Sequence, residues 1–267
     1  LMFRSYYGLS FNPFDKQMCR EKDRFLSKDI SEMMNRLDYL KDTRGIGVFT
    51  ARSGMGKSFG LRCFAKSLNP SLYHMEYIFS TVSVMEFYRQ LCAVLGVEGR
   101  GGKLGMFRAI QEQILCLYYE KKQPLLVVDK AQYLSTGILE DIKMFMNYNY
   151  DSVNCFTLVL CGEPHLNSPL RKPVHEVLRQ RITVHDNFNG FTDAEVAQYV
   201  LHKLFCVGGS ASIIDQAALC AVHSHSQGNP RLVDNLMTDA LALGAQMEKK
   251  SIDTEVILAA VSNQNLS

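Results

Sequence analysis

The stretch ARSGMGKS, Ala51–Ser58, constrains this chain more than any other. GIGVFT, Gly45–Thr50, precedes it and reads as a short buried strand. A helical stretch follows to about Leu68. Gly54 and Gly56 let the backbone curl so that successive N–H groups point inward, and the helix that follows adds the positive end of its dipole. That construction binds phosphate oxygens. Ala51, Arg52, Ser53, Gly54, Met55, Gly56, Lys57 and Ser58 form the candidate cradle, with Lys57 reaching the β- and γ-phosphates and Ser58 ligating Mg2+. Ala51 stands where a glycine is usual, a change that requires only a negative φ there.

PLLVVDKAQYL, Pro124–Leu134, supplies the second half of such a site. Its apolar run reads as a buried strand ending at Asp129, and a carboxylate there can hold Mg2+ through water. In hydrolytic ATPases of this pattern the next residue is an acid that aims water at phosphate. Here it is Lys130, a cation with three donors and no acceptor. Binding of ATP is therefore expected to survive while hydrolysis is slowed. Glu163, expected at the end of the adjacent strand, can either pair with Lys130 or accept the water in its place; pairing is the favoured expectation.

The rest of the chain alternates. Strands are expected at Met75–Phe79, Leu125–Asp129, Cys155–Gly162 and Ile182–Phe188, with helices between them, including Val84–Leu95. This predicts an α/β fold: a three-layer α/β/α core with a parallel sheet. Residues 1–26 read as an irregular N-terminal extension rich in aromatics, with Asp29 and Glu32 at a helix start. After Phe191 no strand candidate remains. Thr192 and Glu195 form a capping box, and further helices are expected near Ile214, at Asn229-Pro230 and near Asp253. The expected division is 1–26, an α/β domain over 27–191, and an all-helical domain over 192–267.

The chain has 267 residues, 47% hydrophobic and 21% charged, with net charge +2. Disorder is excluded by the apolar content, and a global basic field by the near balance of charge, so any nucleic-acid contact must be a local patch. No apolar run approaches the ~20 residues that span a bilayer, and no signal pattern opens the chain. The eight cysteines, Cys19, Cys63, Cys92, Cys116, Cys155, Cys161, Cys206 and Cys220, include no C-x-x-C pair and read as reduced core thiols in a cytoplasmic protein.

Six segments in order carry a family resemblance: GLSFNPF (Gly8–Phe14), the helix near DRFLSKDISEMMNRL, the phosphate loop, LLVVDKAQ, LVLCGEPHL (Leu158–Leu166) with LRQRI (Leu178–Ile182), and GNPRLVDNL (Gly228–Leu236). In these the chain resembles the AAA+ ATPases, within them the group holding the ExeA-type secretion ATPases and the transposition regulators TnsC, TniB and MuB. The resemblance implies ATP and Mg2+ as cofactors and a helical lid after the core. It implies that Asp129 is the Walker-B aspartate and that Glu163 lies near the sensor-1 position. Arg181, with Arg179 as second choice, matches the arginine finger reaching a neighbour's γ-phosphate. Arg231 matches the sensor-2 arginine. The active form it implies is a homo-oligomer, ring or filament.

The expected function is an ATPase that assembles on DNA with ATP and recruits a transposase or another protein, without a membrane contact. No membrane segment follows the helical domain in this sequence, which sets the expectation apart from a secretion ATPase. Arg100, Lys103 and Arg108, in or beside the glycine-rich stretch Gly96–Gly105, are the candidate DNA contacts, followed by Lys121, Lys122 and Lys143. They read equally as a solvated charged loop. A secretion-complex ATPase, a helicase-loader-like ATPase and a small-molecule phosphotransferase remain the alternatives.

Overall fold

A computed structural model describes residues 2–15, 24–148 and 153–264; Cys19 lies outside them. The chain divides into two compact units.

The larger unit comprises Ile30–Ser53 and Lys57–Phe188. Its sheet holds β1 (Gly45–Thr50), β2 (Tyr73–Phe79), β3 (Gln123–Asp129), β4 (Thr157–Gly162) and β5 (Ile182–Asn187). All pair in parallel, in the order β2-β3-β4-β1-β5. The three inner strands are buried almost throughout and read as continuous apolar runs, as strands covered on both faces must. The edge strand β5 alternates instead, and β2 buries only Ile78.

The helices of this unit are α2 (Lys28–Thr43, from its third residue), α3 (Lys57–Ser67), α4 (Val84–Leu95), α5 (Gly102–Tyr119), α6 (Thr136–Phe145), α7 (Asn167–Leu170) and α8 (Glu176–Gln180). Strand alternation assigns the two faces of the sheet. Ile46, Val48, Leu126, Val128, Leu158 and Leu160 point into one core with α4, α5 and α6. Gly47 faces the other side, where a Cβ would come within 2.5 Å of Leu40 Cδ2 on α2. Three layers result, as expected from sequence.

The smaller unit comprises Leu1–Asp29, Gly54–Gly56 and Asn189–Ser267. It is built on α1 (Met2–Tyr7), α9 (Asp193–Phe205), α10 (Gln216–Ser226), α11 (Pro230–Gln246) and α12 (Thr254–Gln264). The Thr192–Glu195 capping box is present, and Asp215 and Asn229 cap α10 and α11. The N-terminal segment corrects the sequence expectation of irregular chain. Met2–Tyr7 is helical, and Phe3, Tyr7, Leu9 and Phe14 are buried in one core with α9–α12. Polar bonds fasten it: Tyr7 OH donates to Lys249 O at 2.9 Å, Ser10 N to Val207 O at 3.1 Å. Apolar patterning in so short a segment cannot reveal a helix whose stability comes from packing.

Among the described residues no helix is long and apolar enough to cross a membrane. The seven described cysteines are free; Cys63, Cys92, Cys155 and Cys161 are buried, whereas Cys116 and Cys220 are exposed rather than core residues.

Candidate nucleotide site

β1 runs into the glycine loop without a break. Ala51 N donates to Gly162 O at 3.1 Å, continuing the β1–β4 ladder beyond Thr50. Ala51 is buried and absent from the residues with positive φ, so the missing glycine is tolerated. Gly54 and Gly56 take φ of +86° and +96°, a region closed to most side chains. α3 starts at Lys57, with Ser58 exposed in its first turn. Lys57 Nζ folds back to donate to Ala51 O at 2.6 Å, which draws the loop closed. Within the smaller unit Gly54 lies against the start of α11: a Cβ there would meet Asn229 Oδ1 and Arg231 Cβ, each at 2.7 Å.

The strand order sets β4 between β1 and β3, and the register aligns Thr50 with Gly162 and Val128 with Leu160. Lys57 and Asp129 therefore flank the C-terminal end of β4. Their proximity registers on one buried atom: burial pushes the Cys161 thiol far up, with Asp129 adding to the shift and Lys57 opposing it. The C-terminal margin of a parallel sheet is where such folds receive ligands.

Lys130 follows Asp129 in a left-handed conformation, φ 54° and ψ 39°, and its N–H donates to Asp129 Oδ1 at 2.8 Å. Its side chain is exposed and makes no ion pair among the described residues. The expected Lys130–Glu163 pair is not formed; Glu163 Oε2 lies 3.8 Å from His165 Nδ1 instead. Gln132, which sequence reasoning passed over, fixes Glu163 from below. Its Oε1 accepts from Glu163 N at 3.2 Å and occupies the space a Cβ on Gly162 would need, at 2.7 Å.

The model of an AAA domain matches residues 40–170. The chain is 29% identical over 264 residues to general secretion pathway protein A of Aeromonas hydrophila, an alignment covering 97% of this chain and 48% of that protein. The chain thus spans about half the length of this curated relative. Among solved structures it is similar to Cdc6p of Pyrobaculum aerophilum, with TM-score 0.67 and 14% identity over 94% of this chain and 70% of that one. It is also similar to Drosophila ORC bound to DNA, with TM-score 0.72 and 12% identity over 100% and 67%. The fold is that of an AAA+ P-loop ATPase.

In this chain the glycine loop and Asp129 fit a magnesium nucleotide. The loop amides and Lys57 would hold phosphates, and Ser58 and Asp129 would hold Mg2+. Bound there, the metal would neutralise phosphate charge. Arg52 and Ser53 are exposed, and Met55 is buried. Arg179 Nη1 donates to the carbonyls of Leu170 (3.3 Å) and Arg171 (3.0 Å), and Arg181 Nη1 to that of Met146 at 3.1 Å. Arg231 is exposed in the first turn of α11.

The DNA-contact candidates do not share one loop. α5 begins at Gly102, so Lys103 and Arg108 are helical and only Arg100 stays in the loop. Arg100 pairs with Glu98 at 2.9 Å. Lys103 Nζ donates to Oδ1 of buried Asp141 at 2.9 Å, lies at ion-pair distance from Oδ2, 2.8 Å, and sits over the Tyr88 ring. Arg108 is exposed and has no ion pair among the described residues. The glycine run hid the helix start, because Gly101 at φ +81° serves as the residue before it.

Proposed function

We propose that the chain binds ATP with Mg2+, assembles with further copies of itself in the ATP state, and hydrolyses ATP slowly because Lys130 occupies the position of the water-aiming acid. The observation that carries this is the contrast at adjacent residues: Asp129 stands at the end of β3, while Lys130 offers three donors and no acceptor. A general base supplies about 10²–10⁴-fold in rate, and that factor is what the lysine forfeits. Arg181, or Arg179, would reach the neighbour's phosphate, and a finger of this kind makes turnover depend on assembly.

The assembled form acts, on this proposal, as a DNA-associated switch that recruits a protein, as a transposition regulator recruits its transposase. The fold shared with an ORC bound to DNA supports the DNA half of this reading. The second reading, an ATPase of a secretion complex, is favoured by the relative named general secretion pathway protein A. Binding of a fluorescent DNA duplex, measured with ATP, with ADP and without nucleotide, separates them. ATP-dependent, salt-sensitive binding is expected. Absence of DNA binding in all three conditions would favour the secretion reading.

A further inference from the structure

We propose that Asn187 is a positioning residue that ties the phosphate-loop strand to the segment carrying Arg179 and Arg181. The inference rests on the reading of those arginines as groups that answer to nucleotide.

Thr50, the last residue of β1, and Asn187, the last of β5, are register partners. The Thr50 hydroxyl donates to Asn187 Oδ1. Asn167 Nδ2, at the start of α7, donates to the same oxygen at 3.3 Å. The Asn167 carboxamide is held at its other end by His185 Nε2, 2.9 Å from Asn167 Oδ1. A single carbonyl oxygen thus gathers one donor from the strand that feeds the glycine loop and one from α7. From α7 the connection continues: Arg179 Nη1 is bonded to the carbonyls of Leu170 and Arg171, at the end of that short helix.

Every hydrogen bond of this path lies within the larger unit, and α7 itself carries it from Asn167 to Leu170 and Arg171. Thr50 is buried and directly precedes Ala51. A shift of the loop on taking up phosphate therefore pulls on Asn187, then on α7, and through its terminal carbonyls on Arg179. Spatial continuity alone does not establish coupling, so the claim must be measured as one.

The test uses the full chain at saturating MgATP and in its absence, with hydrogen exchange of residues 167–181 as the readout. Wild type should show slower exchange in this segment with MgATP. N187A should abolish that difference while leaving nucleotide affinity, by calorimetry, within a few fold. N187D keeps the accepting oxygen and should retain the difference. T50V removes the donor at nearly constant shape and should match N187A, with the double variant no worse than either. ATP-dependent association, by sedimentation, should weaken in N187A by about five- to a hundredfold, the range of ordinary site coupling.

No MgATP effect on 167–181 in wild type overturns the proposal. So does equal behaviour of N187A and N187D, or additive effects of T50V and N187A. A wild type that responds in this segment yet never associates would overturn the assembly reading and leave the coupling standing.

Discussion

The backbone N–H of Lys130 donates to Asp129 Oδ1 at 2.8 Å, so Lys130 steadies the neighbouring carboxylate through its main chain. Side chain and backbone have separate consequences here. The backbone bond survives any substitution except proline, whereas the slow hydrolysis proposed above belongs to the side chain.

Lys130→Glu should raise phosphate release by about 10²–10⁴-fold with ATP affinity little changed. Lysine and glutamate meet a similar cost at φ 54°, so the turn should persist and the melting curve should barely move. The measurement is single-turnover hydrolysis with the protein in excess over nucleotide. An unchanged rate would show that this position does not limit turnover.

Lys57→Ala should weaken ATP binding by about 100-fold, roughly 2.7 kcal/mol. Its effect on folding should stay near 1 kcal/mol, about the net worth of a hydrogen bond such as that to Ala51 O. Calorimetry and urea melts on the same sample separate the two quantities. A small affinity change would remove the lysine from the phosphate site.

Lys103→Met keeps the alkyl stem over Tyr88 but leaves the Asp141 carboxylate buried without its cation. A loss of about 1–3 kcal/mol is expected, at the low end because the lysine side chain is itself 49% exposed. DNA affinity should not change. If instead DNA binding falls and the urea midpoint stays put, Lys103 contacts phosphate.

His175 predicts a pH dependence. It is 1% exposed and its Nε2 finds no hydrogen-bond partner among the described residues. Burial holds the imidazole below its ordinary value of 6.5; Glu140 opposes this, and Lys172 and Lys143 reinforce it. Below about pH 6.5 the unfolded chain takes a proton that the folded chain refuses. The stability contribution is therefore complete above that pH and is lost as pH falls through the folded value, with a slope of at most about 1.4 kcal/mol per unit. Urea midpoints of wild type and His175→Leu between pH 5 and 7.5 should diverge in slope. Parallel curves would assign the acid sensitivity to other groups.

The parts legible in sequence were those whose signal is local. The strand–loop–helix at Gly45–Ser67 declared itself because the turn needs glycine where it falls and the flanking apolar periods differ. The helix expected from about Val84 to Leu95 is found there, with Ser83 capping one end and Gly96, at φ 70°, closing the other. Boundaries blurred where glycine gave two meanings, as at Gly101 and Gly102.

The sequence by itself determined the layered α/β core, the helical tail and the glycine loop between β1 and α3, since each depends on neighbours within a few positions. Only the tertiary structure decided which distant groups meet. Asp141 claims Lys103 from 38 positions away, Gln132 rather than Lys130 braces the Glu163 backbone, the N-terminal aromatics belong to the helical core, and Asn187 joins Thr50 to Asn167. Strand order and register bring these residues together, and both are properties of packed sheets and helices that no single segment encodes.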